Sequence, residues 1–382
     1  MFEGQIDPDI ASQLTILNTE KNPILSTLFL SRPDRQVITG DEQFRWYKQG
    51  LPARRTQINN GGAAYDGTTT TIVVDDGSVF EPGSLIFAEA TNERMFVQAV
   101  AGNSLTVVRG VGAPAAAAGS VANDAWLRNI GFAAGEGSSS PNAKHASATE
   151  QKNYVQTFRK SVEITGRASA MATKTQDQRA FQRQLKFEEF LQDHENALIY
   201  GAAADTGVVD SDGRKVTTTG GFIEAIVTNV DNVGGTMTRS RFEQFCEMAF
   251  GYGSGLKTGF SGNTVIDTIA SFFRPNEVNT TRDPIVGLRI TEVRTQYGDL
   301  RMVYHRGFKP LLAGQMLVVD QDDPLLALMH TNAPNRDGRP HLNEDIEDAG
   351  DDTAKDEWFS EVGLRWGTEE NHAILKGVTG AA

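Results

Sequence analysis

The chain has 382 residues, which at roughly 100–200 residues per domain suggests two or three domains. Apolar residues make up 39% and charged residues 22%, a globular balance, and a formal charge of −13 argues against a uniformly basic nucleic-acid binder. The one cysteine, Cys246, excludes an intrachain disulfide. The opening MFEGQIDPDI lacks the basic and apolar regions of a signal peptide, and no run reaches the roughly 18 apolar residues of a membrane span, so folding in a cytosol without a membrane partner is expected.

Residues 1–40 read as an arm: short apolar groups such as Ile16-Leu17 and Leu28-Phe29-Leu30 are broken by Pro, Asn and Asp, too little for a core of their own. Residues 41–65 carry Arg45, Lys48, Arg54 and Arg55 in a Pro-, Gly- and Asn-rich context and read as an extended basic loop or hairpin. Four β-rich runs follow at 69–74, 84–89, 94–100 and 104–109, parted by Asp76-Gly77, Pro82-Gly83, Thr91-Asn92 and Gly102-Asn103. That spacing predicts a small sandwich or barrel over 66–125. Residues 131–150 are a Gly/Ser/Ala linker, and 126–152 complete the extended loop.

Residues 153–166 predict a strand. Thr175-Gln176-Asp177-Gln178 fits a capping box, good helix formers run to Tyr200, and Gly201 is a natural stop. Phe181, Leu185, Phe187, Leu191 and Leu198 make an apolar stripe along this helix, with Leu185 and Leu191 on its buried side, and the helix would span about 39 Å. Helices are expected at 221–231 and 238–250, strand then helix at 262–273, a hairpin over 287–308 turning at Tyr297-Gly298, and a buried strand at 316–320. The chain ends in an acidic run from 343 to 357, then a strand, a turn and a last strand.

No motif carries chemistry. Gly253-Ser254-Gly255-Leu256-Lys257-Thr258 has Leu256 where a phosphate loop needs glycine before its lysine, so it reads as a glycine-rich loop. Asp210-Ser211-Asp212-Gly213 lacks the downstream ligands of a calcium loop and reads as a β-turn. The six histidines show no zinc spacing, Ser254 and Ser261 lie outside any nucleophile elbow, and Cys246 reads as a buried thiol. Asp320, Asp322 and Asp323 read as a polar turn, with cation binding as the alternative, and Glu188-Glu189 as a solvated helix face. Catalytic, cofactor and metal residues are therefore expected to be none. The acidic run, with Glu344, Asp345, Glu347, Asp348, Asp351 and Asp352, is either a solvated loop or a contact for a basic partner, for which Arg45, Lys48, Arg54 and Arg55 are the candidates.

The stretches FRWYKQGL (44–51), FEPGSLI (80–86), VAGNSLTVVRGVG (100–112), NYVQTFRKSVEITGRA (153–168), QLKFEEFLQDHENALIYG (184–201), GFIEAI (221–226), GNTVI (262–266), MLVVD (316–320) and EVGLRWGTEENHAILKG (361–377) keep an order that resembles the tailed-bacteriophage major head protein family of phage SU-ten. The resemblance covers nearly the whole chain and implies an α+β capsid fold named after phage Hong Kong 97, interrupted by the β-module. It implies an arm (1–40), an extended loop (41–65 and 126–152), the module (66–125), a peripheral domain with a spine helix at 175–200 (153–219 and 331–382) and an axial domain (220–330). It further implies a non-enzymatic shell subunit forming homo-pentamers and hexamers of a virion head. Such a head encloses double-stranded DNA without sequence-specific binding and is assembled in the bacterial cytoplasm. Its partners would be a separate scaffolding protein, a portal and decoration proteins; an arm of about 40 residues leaves no room for a fused scaffold, so no large N-terminal piece is expected to be removed. A tail or decoration protein that binds through the module, and a hydrolase with an unrecognised site, are the alternatives.

Overall fold

The computed structural model describes residues 23–30, 33–50, 53–112, 119–137, 148–170, 178–205, 207–273, 278–282, 289–308, 312–329 and 338–382. The capping-box residues 175–177 and the first 22 residues of the arm lie outside this set. The chain divides into two compact units, one of residues 1–48 and 150–382 and one of residues 49–149.

Two large sheets and the two-stranded pairing of Gln43–Lys48 with Thr149–Tyr154 build the larger unit. The first has the order Gln36–Thr39, Leu325–Met329, Thr353–Arg365, Gln156–Thr165, with His341–Asn343 paired beside Thr353–Arg365. The second has seven strands in the order Val230–Met237, Ala373–Ala381, Met316–Asp320, Leu256–Ser261, Asp299–Tyr304, Arg289–Arg294, Val278–Arg282. Met316–Asp320 is buried at every position because it is central to that sheet and covered on both faces, which is why MLVVD is apolar without alternation.

The long helix, Gln178–Tyr200, has 23 residues and spans about 35 Å. It packs on the first sheet: the Phe187 ring lies 4.5 Å from Trp358, and His194 stacks at 4.0 Å on Phe158. Its fully buried positions are Phe190, His194, Glu195, Leu198 and Ile199. Leu185 and Leu191 are both half-buried, but only Leu191 packs against the core, so the stripe read from sequence is corrected at Leu185. The mistake has a physical cause: two polar residues, His194 and Glu195, occupy the inward face and disguise it. One apolar cluster joins this helix, Ile24, Leu25, Leu28 and Phe29 of the arm and both large sheets; a second lies between the helices Arg239–Ala249 and Asn263–Phe272 and the seven-stranded sheet.

Several other expectations are corrected. The helix at 221–231 is only Phe222–Ala225; the backbone turns extended at Ile226 and ends it, and Val230–Met237 is a strand bulged around Gly234-Gly235 and paired in parallel with the last strand. In the next segment the strand is Leu256–Ser261 and the whole of Asn263–Phe272 is helix. The break at 330/331 is displaced, because Leu325–Met329 belongs to the first sheet and Ala373–Ala381 to the second. The chain passes between the sheets at 321–324 and at 366–372. The arm, too, enters the fold, with Gln36–Thr39 as a parallel edge strand.

The smaller unit is an antiparallel barrel. Its order is Arg55–Gln57, Trp126–Phe132, Ser84–Ala88, Glu93–Ala101, Ser104–Val108, Thr71–Val73, and the bridge between Ile58 and Val74 joins the two end strands. Ile72, Ile86, Met95, Val97, Leu105, Val107 and Leu127 point inward at alternate positions and are fully or almost fully buried. Arg109 pairs with Glu93 through two hydrogen bonds of 2.8 and 2.6 Å inside it. The barrel takes in 55–57 and 126–132, so it is wider than 66–125; those strands are short or polar and show their role only through pairing.

Candidate functional site

Opposite charges meet within the larger unit. Arg179 and Arg183, one turn apart on the long helix, both bond the fully buried carboxylate of Asp356 at 2.6–2.8 Å. Burial pushes the Asp356 carboxyl up, but the two guanidinium groups and the Asp345 amide outweigh it and hold Asp356 well below the usual carboxylate range. The same arginines reach the acidic run: Arg179 pairs with Asp345, and Arg183 bonds Glu344 at 3.0 Å. Glu347 accepts the Lys355 amide at 3.0 Å. Asp348, Asp351 and Asp352 are exposed, on a turn closed by the Asp351 amide donating to the Asp348 carbonyl at 3.1 Å. The root of the acidic hairpin is thus neutralised by the long helix, and its tip is not.

The basic residues divide similarly. Arg45 pairs with Glu150 at 3.1 Å and Lys48 with Glu370, both within the larger unit. Arg55, in the barrel, bonds Glu89 at 2.5 Å and lies 4.2 Å over the Trp126 ring. Arg54 is exposed, and its side chain has no partner among the described residues.

The 366–372 crossing is a dense polar junction that sequence reading missed. Trp46 donates to the Gly367 carbonyl at 2.8 Å, Asn229 to the Glu370 and His372 carbonyls, and the Asp323 carboxylate accepts from the Thr368 amide and the Asn371 side chain. Gly367 sits at φ +76°, where a side chain would collide with Asp323. Lys257, wholly buried, donates to the carbonyls of Ala249, Tyr252 and Asn371 at 2.6–2.7 Å. Burial lowers its pKa. The lysine of the glycine-rich loop is thus an internal brace and cannot reach a phosphate. Asp320 accepts from the Ser254 amide and hydroxyl, and Asp322 bonds Arg35 at 2.8 Å, so the three aspartates of that turn are committed to protein donors.

A second buried device ties down the arm. The Glu195 carboxylate accepts the Ile24 and Leu25 amides at 2.8 and 2.7 Å and lies 3.0 Å from His305 Nε2. Asp210 makes the expected turn, accepting the Asp212 and Arg214 amides. Cys246 is buried, and burial pushes its thiol up to about 12. No cluster of three or more potential metal ligands occurs among the described residues, and no described helix is long and apolar enough to cross a membrane.

Comparisons with known proteins agree with this architecture. The family model described as SU10 major capsid protein matches residues 2–379. A major capsid protein of Pseudomonas phage PaMx41 is 29% identical over 164 residues; the match covers 43% of this chain and spans 38% of that relative's length. Among solved structures, the capsid of cyanophage A-1(L) superimposes with a TM-score of 0.53 over 98% of this chain and 97% of that one, at 10% identity. The capsid of a native GTA particle gives 0.50 over 99% and 96%, at 9% identity. These likenesses establish the Hong Kong 97-like capsid fold, and the family match covers almost every residue: the chain belongs to the SU10 major capsid protein family.

Proposed function

We propose that this chain is the major capsid protein of a tailed phage, a non-enzymatic subunit that self-assembles into the head. The single observation that carries this is the family match over residues 2–379, joined to a capsid fold that accounts for both sheets and the long helix. The subunits form closed rings of five and six through heterologous interfaces, and the rings make a shell that encloses double-stranded DNA without reading its sequence. The first sheet with the long helix is the peripheral domain, and the seven-stranded sheet is the axial domain. The braced crossings at 321–324 and 366–372 set the angle between them, and small adjustments there let one sequence occupy several positions in a curved shell. Assembly takes place in the bacterial cytoplasm with a separate scaffolding protein, followed by a portal and decoration proteins.

The expected charge contact between neighbours is proposed in a narrower form. Arg45, Lys48, Arg55, Glu344 and Asp345 already have partners in their own chain, which leaves Arg54 of one subunit facing Asp348, Asp351 and Asp352 of the next. Sedimentation of the protein expressed with and without a scaffolding protein tests the shell reading. Fast-sedimenting closed particles are expected with the scaffold; a chain that stays monomeric under both conditions contradicts it.

A further inference from the structure

A cleft of about 460 Å³ lies in the larger unit, where the end of the long helix meets the seven-stranded sheet. That volume falls within the roughly 300–1,000 Å³ of pockets that hold small ligands. The floor is apolar: Val230 and Ile374 are register partners in the parallel pair of Val230–Met237 with Ala373–Ala381. Ile223 and Ile226, from the short helix Phe222–Ala225 and its end, and Leu312 supply the walls. Tyr200 and Ile223 are 43% and 39% exposed, so the cleft opens to solvent at its rim.

The polar groups gather on one side of it. Lys376 comes two residues after Ile374, which puts both on the same face of the strand. Gln315 directly precedes Met316, whose register partner is Leu375, so Gln315 and Lys376 lie side by side just past the end of that ladder. Lys376 is half-buried, its ammonium has no partner among the described residues, and no acid is among the residues that line the cleft. A cation half withdrawn from water without a counter-charge favours an anion, and the Gln315 amide is a second donor beside it.

We propose that this cleft binds a single-chain aliphatic carboxylate, with the carboxylate on Lys376 and Gln315 and the chain along Val230, Ile374 and Ile226. One ammonium matches one negative charge, and the volume suits one aliphatic chain, not the two of a membrane lipid. An apolar side chain from a second copy would fill the floor but leave the ammonium unmatched. The polar side of the cleft fixes the ligand's orientation, and the apolar floor supplies most of the adhesion.

Isothermal titration of the unassembled chain with octanoate, octanol and octyltrimethylammonium, each below its micelle-forming concentration, tests this. Octanoate is expected to saturate a single site about tenfold more tightly than octanol, and the cationic probe to bind more weakly than either. Lys376→Met should bring octanoate down to the affinity of octanol. Ile223→Trp, which fills the cleft, should abolish binding of both. Thermal melts check that both variants fold, and the comparison of the three probes on the wild-type chain depends on neither. Octanoate that does not bind saturably, octanol that binds as tightly, a preference that survives Lys376→Met, or binding that survives Ile223→Trp each overturn the site. Self-association of the wild-type chain that Ile223→Trp abolishes, with no probe bound, overturns it in favour of a second copy. Binding is read on chains that have not assembled, so its failure leaves the shell reading standing, and a failure to form shells leaves this site standing.

Discussion

His194 is stacked on Phe158 and bonded through both ring nitrogens, to the Phe190 carbonyl and the Ser360 hydroxyl, each at 2.6 Å. Burial pushes its pKa down to about 4, so the native ring is neutral. The unfolded chain, with a histidine near 6.5, binds the proton more readily. Stability from this residue is therefore complete above about pH 6.5 and is lost as pH falls toward 4, by roughly 3 kcal/mol. His194→Gln should flatten that part of the stability–pH curve in urea titrations; an unchanged slope contradicts the assignment. Asp356 has the same sign at lower pH: its depressed pKa adds stability that is present above the ordinary carboxylate range and disappears only in strong acid. Asp356→Asn leaves two guanidinium groups short of a counter-charge. Both keep some solvent access, so the expected loss lies at the lower end of about 3–5 kcal/mol, measured by urea denaturation at pH 7.

On the long helix, Leu198 is 2% exposed, whereas Leu185 is only half-buried and lies outside the core. Leu198→Ala should cost about 2–5 kcal/mol and Leu185→Ala well under half of that; equal costs would mean that the buried face is misplaced. The barrel has its own core, and the strands that lead into and out of it, Gln43–Lys48 and Thr149–Tyr154, are paired. Replacing 49–149 by a short Gly/Ser linker should leave the larger unit with a cooperative melt, and loss of that cooperativity contradicts its independence. Cutting only 68–124 would strand Arg55–Gln57 and Trp126–Phe132 without partners. Elements with a local signal were legible in the sequence: Thr238 caps Arg239–Ala249, and the hairpin of Arg289–Arg294 with Asp299–Tyr304 turns where Tyr297-Gly298 predicts. Val230–Met237 was not, because its strand state comes from pairing with residues some 140 positions later. Charge clusters were visible as charge but not as contacts, since Arg179 and Asp356 are 177 positions apart and nothing local links them.

At the scale of the molecule, two sheets share one apolar cluster, the crossings between them are braced by Lys257, Asp323, Asn229 and Trp46, and the arm is clamped by Glu195. This design resists opening of the subunit and leaves recognition to its surfaces, as a shell component requires. The barrel adds a second body with a core of its own. The central claim is that this chain closes into a head, and electron microscopy of the purified protein assembled with a scaffolding protein tests it most directly. Closed shells whose capsomers classify with fivefold and sixfold symmetry are the predicted result; open tubes, or a folded monomer that forms no rings at any concentration, would contradict it.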